Sequence, residues 1–464
     1  MSNKFSAVSW LALGLAFGLA VAGPDGASAQ SLLDTFAKAY MSNPTLEAQR
    51  AQVRGTDENV NQAISLWRPT VTGTASAGVA YQDSNPAIDR YQTRTPASVQ
   101  LEVVQPLYRG GRNPAALAQA ENQVLSERAA LLSVEQQVLQ SAGVAYVNVV
   151  RDQAVVELNL NNEEVLRRQL QAVRDRFQVG EVTRTDVSQA EARLSRAIAD
   201  RRAAEGNLET SRANYEQVVG VAPGVLVPPP PLPGLPASRD EAIQRSQKDN
   251  PLVVQAVFSH LSATKNVRVI EGELLPSASL VGQVRQSYEN SAADVSAFNA
   301  QALAQVTVPL YQSGSVRSRV RQAKQQASQR LVQVEEARRA AIESATAGWE
   351  QLSATRNQIS ALRSEVTAQE IALDGVRQEA LVGTRTVLDV LDAEQELLNA
   401  RVNLTRARRD EVVASLSLAA SVGYLTAETL DLSVPRYDVR AHYNAVRGAW
   451  FGTDVGSPWQ PADK

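Results

Sequence analysis

The sequence predicts an all-α coiled-coil body joined to a transmembrane β-barrel. Three observations predict it: one pattern written twice along the chain, long helical runs with few breakers, and short segments that alternate apolar and polar residues. The composition agrees. Hydrophobic residues make up 44% of the 464 and charged residues 20%, which excludes a disordered polymer. Aromatic residues are only 5%, low for a large compact core, while the Ala, Gln, Val, Leu, Arg and Glu excess suits long helices. A net charge of −3 gives no basic field for nucleic acid. The chain has no Cys, so disulfides, thiolate metal sites, thiol catalysis and a lipidated N-terminal Cys are all excluded.

Residues 1–29 read as a bacterial secretory signal peptide. Lys4 supplies the positive start, Ala7 to Ala22 the apolar run, and Ala27-Ser28-Ala29 the small-residue cleavage site. That run falls short of the ~20 residues a spanning helix needs. No later segment has 18 consecutive apolar residues, so no transmembrane helix is expected in the mature chain.

The repeat is read from ordered matches. Asn43-Pro44 and Asn250-Pro251 are 207 positions apart, as are Pro69 and Pro276. Gln105-Pro106-Leu107-Tyr108 and Val308-Pro309-Leu310-Tyr311 are offset by 203, as are Gly180 and Gly383, Asp186 and Asp389, and Val219-Gly220 and Val422-Gly423. Such ordered matches imply duplication. The four-residue change of offset falls between Pro69 and Pro106 and is expected in a loop. Repeats are therefore expected over 30–226 and 238–435. A stiff Pro-rich connector, 227–237, joins them, and 436–464 forms a C-terminal periplasmic tail.

Within each copy the elements follow in order. Ser31 to about Leu66 reads as helix with an early break at Asn43-Pro44. From about Asn113 to Phe177 the chain carries a single Gly, Gly143, which predicts a rod of roughly 100 Å. Its counterpart runs from about Val316 to Val382. Each rod ends at a Gly, and a shorter helix follows over Asp186–Val219 and Asp389–Val422. The Asp at each shorter helix's start suits the helix dipole.

Strands are expected in hairpins at about 70–108 and 277–311. Phe298, Ala300, Ala302, Ala304 and Val306 share one parity, and Asn299, Gln301, Gln305 and Thr307 the other. Val99, Leu101 and Val103 alternate with Gln100 and Glu102, and Leu280, Val284 and Tyr288 oppose Gln283, Arg285 and Ser287. Thr70 to Gln82 is a weaker pattern of Thr, Ala and Gly. One hairpin per copy gives four strands, too few to close a barrel of about eight or more. Open edges cannot face lipid. Three chains supply twelve strands and a water-filled barrel, so a homotrimer is expected. The Ala-, Val- and Leu-rich helices must pack laterally, in pairs and between chains.

The double repeat, paired hairpins and Gly-terminated rods resemble the TolC family of outer-membrane efflux and secretion channels, in its non-lipidated branch. The most specific segment is Val382-Gly383-Thr384-Arg385-Thr386-Val387-Leu388-Asp389-Val390-Leu391-Asp392-Ala393, with a looser copy from Val179 to Val187. The resemblance spans about Ser31 to Asp438. It implies a trimer with a twelve-stranded barrel in the bacterial outer membrane and a long helical tunnel through the periplasm, closing at its inner end like an iris. It also implies a passive channel of a tripartite export system for type I protein secretion, multidrug efflux or both. A periplasmic adaptor (membrane fusion) protein and an inner-membrane ABC or resistance-nodulation-division pump would be its partners.

Asp389 and Asp392 lie three residues apart, so on a helix they share a face. By resemblance they line the periplasmic aperture as a cation-selective ring. Arg385, Thr185 and Asp186 match positions that tie neighbouring coils and hold the gate shut. Ala380 stands where the family's tie can include a Tyr, so that link is missing here. The turns at Val179-Gly180 and Val382-Gly383-Thr384 would form the tips that dock the adaptor.

Catalysis has little support. His260 and His442 are isolated, and Gly110-Gly111 lacks the Lys and the other glycines of a phosphate loop. No metal, cofactor or catalytic residue is expected, and transport energy must come from a partner. Trp450, Phe451 and Trp459 lie amid Gly and Pro, so the tail reads as loosely ordered. The alternative of a different class is a soluble periplasmic coiled-coil adaptor or scaffold. The alternating segments at Val99 and Phe298 argue against it, since a scaffold needs no strands with an apolar face.

Overall fold

The computed structural model describes residues 30–83 and 91–454. The expected signal peptide and Trp459 lie outside these residues. Helix α1 (Leu32–Ser42) and α2 (Pro44–Ser65) form the entry, and Asn43 separates them. Its side chain accepts from the Thr45 N–H at 2.9 Å and caps α2, while Pro44 takes the first helical position, where its missing N–H costs nothing. The second copy repeats this with α5 (Arg239–Asp249), Asn250 and α6 (Pro251–Glu271). Each copy then enters the sheet and returns as a rod and a shorter helix. The first has α3 (Arg112–Gln178) and α4 (Arg184–Val219), and the second α7 (Ser315–Leu381) and α8 (Val387–Ser421). Both rods are 67 residues long, or about 100 Å. Pro114 falls in the first turn of α3, where it breaks no helical hydrogen bond. Each rod packs along the shorter helix that follows it, and α3 also packs against α8. Among the described residues, no helix is long and apolar enough to cross a membrane.

The α3 rod meets α8 at the level of α1. Phe36, Leu139, Tyr146 and Leu416 are buried there in one cluster. Gly143 is the closest point, since a Cβ on it would lie 3.1 Å from the Phe36 ring and closer still to Leu416. The only Gly of the α3 rod is thus a packing requirement. The Tyr146 hydroxyl lies 2.9 Å from the Gln30 carbonyl and 2.7 Å from that of Val227, which pins the connector to the start of the described chain. Leu232 and Leu235 pack against the same cluster.

Strands β1 (Thr70–Ala77), β2 (Ala80–Asp83), β3 (Tyr91–Arg94) and β4 (Ala97–Arg109) come from the first copy, and β5 (Ser277–Tyr288) and β6 (Ser296–Thr307) from the second. They form an antiparallel sheet in the order β1-β4-β5-β6, with β2 and β3 paired separately. The expectation of one simple hairpin per copy needs correction. The first-copy hairpin breaks after Ala77 and continues as the β2–β3 pair. The extra residues of the first copy thus go into a longer hairpin and not only a loop. Pro106 is tolerated because the β4–β5 register slips between Pro106 and Tyr108, leaving Leu107 as a bulge.

The tail also departs from expectation. Residues 437–450 are fastened along α2 and α3, and α9 (Ala441–Val446) lies within them. Arg50, almost fully buried, sits 4.6 Å from the Tyr40 ring centre and 5.3 Å from that of Tyr437. Nearby, Glu135 accepts the Ala427 N–H at 2.7 Å. Burial pushes its carboxyl above the usual range, against the pull of that N–H and of Arg50. The unfolded carboxyl titrates near about 4.3. Below that value the raised group contributes fully to stability, and the contribution is lost as pH rises through the folded value. Gln at 135 keeps an oxygen for Ala427 and never ionises. Glu135→Gln is therefore expected to be stabilised relative to the native chain more at pH 8 than at pH 4. Urea unfolding in detergent at the two pH values checks this.

Candidate functional site

Two surfaces stand out, the sheet and the helical tips. The register sorts the sheet into two faces. Val71, Gly73, Ala75 and Ala77 of β1 align with Val103, Leu101, Val99 and Ala97 of β4. These continue into Gly282, Val284, Gln286 and Tyr288 of β5 and then Ala302, Ala300, Phe298 and Ser296 of β6, a face that is apolar but for Gln286 and Ser296. The opposite face carries Thr70, Thr72, Thr74 and Ser76, then Gln100 and Glu102, then Gln283 and Arg285, then Asn299 and Gln301. On it Gln301 donates to Gln283 at 2.5 Å, and Ser76 and Ser98 are 2.9 Å apart. Side chains on the apolar face are bare, with Val99 at 63% and Phe298 at 69% exposure. Edge strands β1 and β6 each pair on one side only. A 12-residue strand such as β5 is about 40 Å long and spans close to 28 Å when tilted by about 45°, the thickness of a hydrocarbon core. One face suits lipid, the other water, and both edges await partners.

At the far end each rod reverses within a few residues. Gly180 and Gly383 hold φ of +83° and +81°, a conformation that favours Gly. Gly383 N–H bonds to Ala380 O at 3.3 Å and Thr384 N–H to Glu379 O at 3.0 Å, and the first copy forms the same pair of bonds. The next helix then opens with a capping box. Asp186 accepts from Thr183 N–H and hydroxyl, both at 2.8 Å, and Asp389 accepts from Thr386 at 2.9 and 2.8 Å. Val179, Leu381 and Val382 are 72%, 80% and 75% exposed, an apolar tip with nothing packed on it.

The candidate gate residues cluster behind these tips. Val387, Val390 and Leu391 bury one side of α8, and Val387 and Leu391 cluster with Leu166, Leu170 and Val173 of α3 and Ala190 and Ala197 of α4. Asp392 and Glu396 lie on the uncovered side, and Asp389 is partly exposed. The Thr386 N–H and hydroxyl hold the Asp389 carboxyl below the usual range, with help from Arg385. Arg385 does not reach Thr185 or Asp186 within the chain. It pairs with Glu379 of its own turn at 2.8 Å, and that carboxylate holds its guanidinium firmly charged. Arg176 and Glu181 close the first turn in the same way at 3.0 Å.

Asp392 is paired too, with Arg193 of α4. This bond ties the two helical hairpins of one chain, and sequence reasoning missed it because the partners lie 199 positions apart. The repeat gives no hint either, since the residues equivalent to Arg193 and Asp392 are Glu396 and Gln189. A repeat-symmetric tie also exists. Arg174 meets Glu191 at 2.6 Å, and Arg377 meets Glu394 at the same offset of 203. Among the described residues, no group of three or more His, Cys, Asp or Glu is placed to hold a metal ion.

A duplicated helical hairpin body with a small edge-open sheet defines the class of TolC-like outer-membrane channels. The profile of the family described as outer membrane efflux protein matches residues 36–221 and 242–424. The chain belongs to that family. It is 35% identical over 427 residues to outer membrane efflux protein BepC of Brucella suis, covering 92% of each chain. It is 26% identical over 441 residues to TolC of Escherichia coli, covering 90% of this chain and 87% of that one. The crystal structure of the Campylobacter jejuni CmeC outer membrane channel shares the fold, with a TM-score of 0.76 at 15% identity, over 90% of this chain and 89% of that one. These matches and the two-faced sheet set aside the soluble scaffold.

Proposed function

We propose that three copies of the chain close their sheets into a twelve-stranded barrel in the outer membrane, with the helical hairpins forming a tunnel into the periplasm. The observation that carries this reading is the sheet itself, apolar on one face, polar on the other and unpaired along both edges. Copies of β1 and β6 can satisfy each other, and closure removes every edge. The channel is passive. Export of drugs or of secreted protein through it draws its energy from an inner-membrane ABC or resistance-nodulation-division pump. A periplasmic adaptor links the two by docking on Val179, Gly180, Val382, Gly383 and Thr384. Asp389 and Asp392 ring the aperture, and Arg385, Thr185 and Asp186 meet between neighbouring copies when it is closed.

The test is purification of residues 30–464 in detergent, mass measurement and insertion into planar bilayers. Three chains per particle and a small, cation-selective conductance are expected. A monomer that stays soluble without detergent and never conducts removes the barrel.

A further inference from the structure

The tail runs beside α2 in the same direction, toward the sheet. Tyr40 accepts the Tyr437 N–H at 3.1 Å, Asp57 lies 3.3 Å from the His442 ring, and Arg68 donates to the Ala449 carbonyl at 2.6 Å. Both sets of numbers rise together. Along the way Tyr443 packs on Val60, Ala63, Ala120 and Val124, and the Arg128 guanidinium lies 5.2 Å from its ring centre. Arg447 reaches Glu121 at 3.7 Å. The path ends with the Arg68 guanidinium 4.6 Å over the Trp450 ring. Arg68 is two residues before Thr70, where β1 begins. At the same level the Trp67 carbonyl accepts from Gln105 of β4 at 2.8 Å.

After this run of fastened residues, Trp450 is 59% exposed and Phe451 93% exposed. Two consecutive aromatic side chains in water oppose the hydrophobic effect. Trp450 lies against Arg68, the neighbour of Trp67 in sequence, at the end of β1 nearest the helices. Aromatic rings with polar handles collect where membrane meets water, and basic side chains such as Arg68 favour phospholipid headgroups there. We infer that the tail is a membrane anchor, whose Trp450-Phe451 pair inserts into the headgroup region of the periplasmic leaflet beside the barrel. The occupant is a phospholipid surface. The inference rests on the barrel reading, because the level of the leaflet is set by the strands.

The absence of Cys makes a direct test simple. Single cysteines are placed by Phe451→Cys, Val99→Cys on the apolar strand face and Val179→Cys at the tip. Each is labelled with a small environment-sensitive fluorophore in the full-length mature protein. The protein is reconstituted in phosphatidylethanolamine and phosphatidylglycerol vesicles carrying a nitroxide at the headgroup or deep in the acyl chain. The label at 451 should lose emission to the headgroup nitroxide, that at 99 to the deep nitroxide, and that at 179 to neither. Quenching at 99 but not at 451 overturns the anchor and leaves the barrel. In that case accessibility of the 451 label to soluble iodide means a tail in water, and protection from iodide means cover by a neighbouring copy. Quenching at 451 but not at 99 keeps a surface anchor and removes the barrel. No quenching at either site overturns both.

Discussion

Replacing Asp389 and Asp392 together by Asn is expected to abolish the cation preference of the reconstituted channel while leaving it assembled and conducting. Asn suits the test better than Ala. The Asp389 carboxylate accepts both Thr386 bonds that start α8, and an amide oxygen keeps an acceptor there. The variant therefore removes charge without unwinding the helix. The expected size follows from Coulomb's law. A cation about 8 Å from one unit charge is favoured roughly twofold in bulk water and roughly thirtyfold where the effective dielectric falls to about 20. Three copies multiply the effect. Reversal potentials across a tenfold salt gradient measure it directly. A double variant as cation-selective as the native chain moves the selectivity elsewhere, and the polar sheet face, with Glu102 and Arg285, is then the next place to examine.

The helices were legible because their signal is local. Long runs with few breakers, Asn-Pro corners and a Gly a few residues before a helix-starting Asp each act locally. The strand faces were legible from parity where apolar side chains are large, as in β6. They were faint in β1, where Thr, Gly and Ala carry little contrast. The β2–β3 extension was hidden because a four-residue surplus looks the same in a loop and in a longer hairpin. The tail was misread for a different reason. Its order comes from Arg50, Arg68 and Arg128 meeting Tyr437, Trp450 and Tyr443 across more than 300 positions, and no window of sequence holds both partners. The segment from Val382 to Ala393 was legible as a motif, but its partners within the chain were not. By resemblance Arg385, Thr185 and Asp186 link neighbouring coils, and the partner of Arg385 within one chain, Glu379, was not foreseen.

The second large effect is expected from Arg193→Gln. In the chain as it stands, Arg193 neutralises Asp392 and joins α4 to α8 close behind the tips. This bond joins the two hairpins of one chain across 199 positions. Removing the guanidinium does two things at once. It frees one carboxylate per copy, so the cation preference should rise by roughly the same two- to thirtyfold range per charge. It also loosens the two hairpins against each other, so the resting conductance should rise. The direction of selectivity is opposite to that of the Asp389/Asp392 variant, which makes the pair of experiments informative together. Arg193→Lys should fall between, because an ammonium keeps the charge but loses the planar fork. Arg193 is 31% exposed and Asp392 53%, and an ion pair as wet as this contributes little when it acts alone. On the proposed reading its leverage comes from position, since it crosses the seam between the two hairpins. Single-channel recordings separate the two roles. A change in selectivity at constant conductance leaves Arg193 as a charge on the pore wall. A rise in conductance makes it part of the lock, and no change in either reduces it to an ordinary surface ion pair.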